Sequence, residues 1–276
     1  MPHRILRIVA LPALLAAPLV AQQPQQRQIV TVTAGDFYFR APDSLRAGVI
    51  TFQLINNGRE DHLLTVVRVD SSVPLDTTLA NALAGRAAIF KHALGGPMAA
   101  AGRSAQATLT LPAGRYLMLC YLHSPDGKAH IAQGMMHLLT VTGRTNAALA
   151  SGPNDVGITM REYGYDVSTS LRPGPHVLVV KNAGAQLHEF FLLHMRPGTT
   201  LADTTRALED TLLSDLSGGA AIMAPGQTIR LPVNIESGIY ILVCFVSDTK
   251  DHRPHLAHGM KKVIRVTNAG LSSRMR

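Results

Sequence analysis

The chain has 276 residues, 46% of them hydrophobic and 16% charged, a balance that provides for one large or two ordinary globular domains and excludes disorder and collagen. Two cysteines are too few for a disulfide scaffold, and beyond the N-terminus no run reaches the roughly 18 apolar residues of a membrane helix. The formal charge of +8 is dispersed along the chain rather than gathered into a stripe, so nucleic acid is not expected as a partner, while steering toward an acidic protein or anionic surface stays open.

Residues 1–21 read as a secretory signal: Arg4 and Arg7 form a basic n-region, Ile8 to Val20 an apolar h-region, and Ala21 precedes a polar Gln/Pro run. Cleavage after Ala21 is expected and gives a periplasmic or secreted protein; an uncleaved membrane anchor is the alternative. No Cys follows the h-region, so a lipoprotein anchor is not expected. Export would place the thiols in an oxidising compartment, where they would pair or be held by a metal.

From Gln28 the chain reads QIVTVTAGDFYFRAPDSLRAGVITFQLINNG, short runs rich in Val, Ile, Thr and aromatics broken by Gly, Pro and Asn, which predict strands. Asp76-Thr77-Thr78 then offers caps ahead of Leu79, Leu83 and Ala87 at helical spacing, predicting one short helix. RYLMLCYLH and MHLLTVTG return to strands, and residues 145–154, small and polar, read as a linker. The same order follows in HVLVVKNAG, in Asp203-Thr204-Thr205 ahead of Leu208, Leu212 and Leu216, and in IYILVCFVS and KKVIRVTN.

The punctuation recurs too. Leu45-Arg46-Ala47-Gly48, Asn57-Gly58 and His62 match Leu171-Arg172-Pro173-Gly174, Asn182-Ala183-Gly184 and His188; Gly114, Tyr116 and Cys120 match Gly238, Tyr240 and Cys244. His130 to Met135 likewise matches His255 to Met260. A near-constant offset over such a length predicts a duplicated domain, residues 28–143 and 155–268. The expected fold is all-β: two tandem Greek-key β-sandwiches, each with a short helical insertion.

Each half carries His, Cys, His and Met in that order: His62, Cys120, His130 and Met135, then His188, Cys244, His255 and Met260. One thiolate, two imidazoles and one thioether form the ligand set of a type 1 copper site. Singly, each residue suits a packing role; two complete sets in one order do not follow from packing. A Cys120–Cys244 disulfide would require corresponding strands of the two domains to meet, which is not the natural expectation. His123, Met136 and His258 are substitute ligands ranked below the matched residues. His92, His137, His176, His194 and His252 have no partner in the other half and read as surface or packing histidines.

In these features the chain resembles the cupredoxins over nearly all of both halves. The first His follows an Asn-x-Gly turn, in INNGREDH and KNAGAQLH, and the other three ligands lie on one loop, CYLHSPDGKAHIAQGM and CFVSDTKDHRPHLAHGM. This long loop ending in His-x3-Gly-Met resembles the type 1 site of copper nitrite reductases. The resemblance implies copper as cofactor, electron transfer between redox partners as function, and hydrogen bonds from Asn57 and Asn182 that orient the ligand loops. Copper oxidases and reductases need further histidines. Here Leu119 and Tyr121 flank Cys120, Val243 and Phe245 flank Cys244, and no His-x-His occurs, so an enzyme is not expected. A copper chaperone or buffer and a metal-free binding module are the alternatives.

Overall fold

The computed structural model describes residues 28–145, 147–200, 203 and 213–267. The expected signal segment and most of the second expected helix lie outside them.

Two large sheets, of eight and nine strands, enclose the main core. Period-two patterning builds the first sheet. In strand Gln28–Gly35, Val30, Val32 and Ala34 turn inward while Ile29 is 65% exposed. That strand pairs in parallel with Gly48–Asn56, which runs antiparallel to Ser104–Leu111 and so brings Ile50 opposite Leu109 and Phe52 opposite Ala107. The second half uses the same arrangement: Asp155–Arg161 pairs in parallel with Gly174–Asn182, and that strand antiparallel with Thr228–Ile235.

The second sheet is covered on both faces in the first half. Tyr116 and Met118 of strand Gly114–Leu119 face the main core, while Leu117 and Leu119 face a smaller cluster with Ala82, Ile89 and Phe90. Burial on both faces explains the unbroken apolar run from Tyr116 to Cys120. Tyr116 and Tyr240 close corresponding corners. The Tyr116 hydroxyl donates to the Pro112 carbonyl at 2.7 Å, and the Tyr240 hydroxyl accepts from the Glu236 N–H at 3.0 Å.

The helix that covers the outer face spans Leu75–Leu83. It begins earlier than the Asp76-Thr77-Thr78 caps predict, after Pro74, whose fixed φ suits helix entry. Those three residues lie inside the first turn. Ala87 falls beyond the helix and opens a 3₁₀ segment, Ala87–His92. Leu216, expected on the second helix, instead belongs to strand Ser214–Met223, where pairing with Leu193 overrides its helical spacing.

The halves join edge to edge, so both sheets are continuous across the molecule. Thr228–Ile235 meets Ser104–Leu111 at Arg230 opposite Thr108, and Ser214–Met223 meets Ala93–Gly95 at Met223 opposite Leu94. The Ala221 N–H donates to the Gly96 carbonyl at 2.9 Å and the Ala224 N–H to the Ala93 carbonyl at 2.8 Å. Beside the seam, close approach of backbone within each half requires glycine. A Cβ on Gly96 would lie 1.8 Å from the Leu64 carbonyl oxygen, and one on Gly219 would lie 2.2 Å from that of Phe190.

Candidate metal centres

In each half the backbone ties the cysteine, second histidine and methionine into one closed loop. Cys120 directly follows strand Gly114–Leu119, and Cys244 directly follows Gly238–Val243. The Cys120 N–H donates to the Met135 carbonyl at 3.2 Å and the Met135 N–H to the His130 carbonyl at 3.0 Å; the second loop repeats both bonds at 3.4 and 3.0 Å. Between histidine and methionine the chain makes a 3₁₀ turn ended by a left-handed glycine, Gly134 at φ 105° and Gly259 at φ 93°. Glycine adopts that conformation without Cβ strain, which accounts for the Gly-Met pair. The remaining histidine opens a strand, His62 at His62–Leu63 and His188 at His188–Met195.

These elements bring His62, Cys120 and His130 into one buried group and His188, Cys244 and His255 into another. In the first, the two Nδ1 atoms are 3.1 Å apart and Cys120 Sγ is 3.4 Å from His130 Nδ1; in the second the distances are 3.1 and 3.5 Å. Donors bonded to one metal ion at ~2.0–2.3 Å stand roughly 3–4 Å apart, so both groups have the spacing of ligands that share an ion. Met135 and Met260 are fully buried on the same loops. Both cysteines are free thiols. His123 is exposed and lies outside the group, in a bridge with Ala129, and His258 turns to Asp251 at 3.2 Å.

Carboxylates stand behind the histidines, and one of them, Glu60, is hydrogen-bonded to its ring. His130 Nε2 is 2.8 Å from Glu60, His62 Nε2 3.5 Å from Asp36 and His188 Nε2 3.6 Å from Glu162. A proton held on Nε2 leaves the Nδ1 lone pair free for a metal. Nε2 of His62, of His188 and of His255 has no hydrogen-bond partner, and that of His255 lies 3.9 Å from Asp248. The Asp248 carboxylate is instead held by the Tyr163 hydroxyl at 2.6 Å and Gln186 Nε2 at 2.7 Å. Burial lowers the pKa of His62, His188 and His255, and the facing imidazole adds to this for His62 and His188, the latter reaching about 4.

Burial also pushes the Cys120 thiol up to about 12 and raises the Cys244 thiol strongly. Backbone N–H groups oppose this, from Leu63 and Leu122 to Cys120 and from Glu189 and Val246 to Cys244. They would stabilise a thiolate once its proton leaves. The donor set, one sulfur and two imidazoles with a methionine on the loop, is that of copper.

Solved structures similar to the chain include a Na-dithionite-reduced auracyanin from Roseiflexus castenholzii, at 20% identity and TM-score 0.32, covering 42% of this chain and 98% of that one. Auracyanin A from Chloroflexus aurantiacus, a "blue" copper protein, is 21% identical at TM-score 0.31 over 42% of this chain and all of its own. A Cu-containing nitrite reductase from Thermus scotoductus is 12% identical at TM-score 0.27, covering 88% of this chain and 62% of its own. No protein-family model and no curated protein matches the chain.

One expected supporting residue is displaced by a position. Asn57 is exposed, and Asn56 is the buried counterpart of Asn182. Asn56 Nδ2 donates to the Glu60 and Ala99 carbonyls at 2.8 and 3.0 Å, and Asn182 Nδ2 to those of Gln186 and Met223 at 2.8 Å each. Each side chain also accepts from the glycine two residues on, at 2.9 and 3.0 Å. The constant offset that pairs His62 with His188 also pairs Asn56 with Asn182, so the signal was present. It equally pairs Asp36 with Glu162, the carboxylates behind the first histidines.

Proposed function

We propose that the chain is an exported copper protein of two tandem cupredoxin-like domains, residues 28–143 and 155–268, each holding one mononuclear copper ion and together carrying single electrons between redox partners. His62, Cys120, His130 and Met135 hold one ion, and His188, Cys244, His255 and Met260 the other. Copper at such a site supplies one-electron exchange between Cu(I) and Cu(II).

One observation carries the reading. In both halves two imidazoles turn their Nδ1 atoms toward each other at 3.1 Å beside a buried sulfur. Where a carboxylate holds the proton at the far nitrogen, as Glu60 does for His130, the Nδ1 lone pair facing the second imidazole calls for a cation between them. The chain's own residues orient the donors, exclude water and fix the ligand loop through Asn56 and Asn182. Burial favours a carrier over a chaperone. Handing Cu(I) to an acceptor by ligand exchange requires an accessible thiol, and Cys120 and Cys244 are 0% exposed.

The test is to express residues 22–276, add Cu(II), remove the excess, and measure bound copper with the visible spectrum. Roughly two coppers per chain with an intense thiolate-to-copper band are expected. Cys120→Ser and Cys244→Ser should each remove one copper and its share of the band. A folded chain with free thiols that retains no copper would overturn the reading.

A further inference from the structure

Both candidate centres lie near the seam, and one side-chain contact across it begins and ends next to their ligands. Tyr121 directly follows Cys120, and its hydroxyl donates to Glu189 Oε2 at 2.6 Å. Glu189 directly follows His188, its Oε1 accepts from the Phe245 N–H at 2.8 Å, and Phe245 directly follows Cys244. The Glu189 N–H also donates to Cys244 Sγ at 3.5 Å. A continuous path thus runs from Cys120 through the Tyr121 ring and the Glu189 carboxyl to Cys244. Only the two hydrogen bonds at the carboxyl interrupt its covalent bonds.

The symmetry of the molecule does not demand this bridge. The position matching Tyr121 is Phe245, which has no hydroxyl, and the position matching Glu189 is Leu63. Burying a carboxyl is costly unless it is hydrogen-bonded, and the apolar residues at the matching positions show the cheaper solution. Glu189 is 2% exposed, and the Ile222 N–H fixes the Tyr121 oxygen from the other side at 3.2 Å.

We propose that Tyr121 and Glu189 couple the two copper centres, so that an electron arriving at one centre redistributes to the other within the chain. This rests on the copper reading above. In the step, Cu(I) at one centre is oxidised to Cu(II) while Cu(II) at the other is reduced to Cu(I). One electron moves, no bond is made or broken, and the Tyr121 proton stays on its hydroxyl. Aromatic and hydrogen-bonded links carry electronic coupling better than gaps between packed side chains, and here they join the residues that follow the two thiolates. Tyr121 and Glu189 are positioning residues, touching neither ion.

Pulse radiolysis of the full chain loaded at both centres tests this, with a one-electron reductant radical supplied below one equivalent. The expected signature is a first-order absorbance change, independent of protein concentration, that is absent from the single-centre variants Cys120→Ser and Cys244→Ser. Tyr121→Phe should slow it by roughly tenfold or more. Copper content, both bands and bimolecular reduction of each centre should stay unchanged. Tyr121→Phe leaves the Glu189 carboxyl short of a partner, so Tyr121→Phe/Glu189→Leu serves as a second variant with the seam made apolar on both sides. It should be as slow. An unaltered first-order phase in either variant with both coppers bound, or no such phase in the parent chain, would overturn the proposal. Copper absent from both centres would instead overturn the function on which it rests.

Discussion

A thiol sealed inside a core is a poor metal ligand until its proton leaves, and Cys120 and Cys244 show the cost. With the Cys120 thiol pushed up to about 12, and Cys244 raised for the same reason, both are protonated near neutral pH, whereas His62, His188 and His255 are held neutral. Copper binding should therefore release the thiol proton at each centre. Between about pH 7 and pH 9 the apparent affinity of each centre should rise roughly tenfold per pH unit. Copper titration in weakly buffered solution checks this; release of no proton would mean that sulfur does not ligate. The metal-free chain should respond in the opposite sense. Because the folded thiol pKa lies above the unfolded value of roughly 8.5, its stabilising contribution is full below that value and is lost as pH rises toward the folded pKa. The eight ligand candidates were legible because the chain presents them twice in order. The charge that reaches them was legible only in part: Asp36 and Glu162 recur at the same offset, whereas Glu60 and Glu189 stand opposite Gln186 and Leu63 and no recurrence marks them.

Strands and ligand loops were legible where local chemistry and packing agree. Alternation in Gln28–Gly35 and the continuous apolar run from Tyr116 to Leu119 each match the number of faces that the strand buries. Helix starts were less so: Pro74 competes with the Asp76-Thr77-Thr78 signal, and Leu216 answers to its strand partners. Glycines separate two physical demands within these elements. Gly134 sits at φ 105° with only an ordinary contact near its missing Cβ, 3.7 Å from the Phe37 carbonyl oxygen. Gly134→Ala should cost about 1 kcal/mol, chiefly from backbone strain. At Gly96 and Gly219 the added carbon would also enter the carbonyl oxygens of Leu64 and Phe190, so Gly96→Ala and Gly219→Ala should cost roughly 3 kcal/mol or more. Urea unfolding of the metal-free variants measures all three. Equal losses would mean that backbone conformation, and not close approach of a neighbouring carbonyl, is what requires glycine.

At the scale of the whole molecule, the linker at residues 145–154 suggests two beads on a string, yet the halves share their sheets and their core. The main core cluster contains Val30, Phe52 and Tyr116 from one half together with Ile158, Val180 and Phe190 from the other. Arg230, opposite Thr108 at the seam, is also paired with Asp155 within its own half at 2.5 Å, which ties the seam strand to the start of the second half. Such joins leave no trace in sequence, because the meeting of Met223 with Leu94 follows no periodicity and no turn signal. A continuous core has a thermodynamic consequence: neither half can unfold without exposing apolar surface on the other. The metal-free chain should therefore show one cooperative transition, with a calorimetric enthalpy equal to the van't Hoff enthalpy. Because a ligand that binds only the folded state stabilises whatever unfolds with its site, copper at the second centre alone, in Cys120→Ser, should raise the midpoint for both halves together. Hydrogen exchange at strand Gln28–Gly35 reports on the half without copper. Protection there that rises with copper at the second centre is expected, and protection that does not change would mean that the seam transmits no stability and the halves unfold as separate domains.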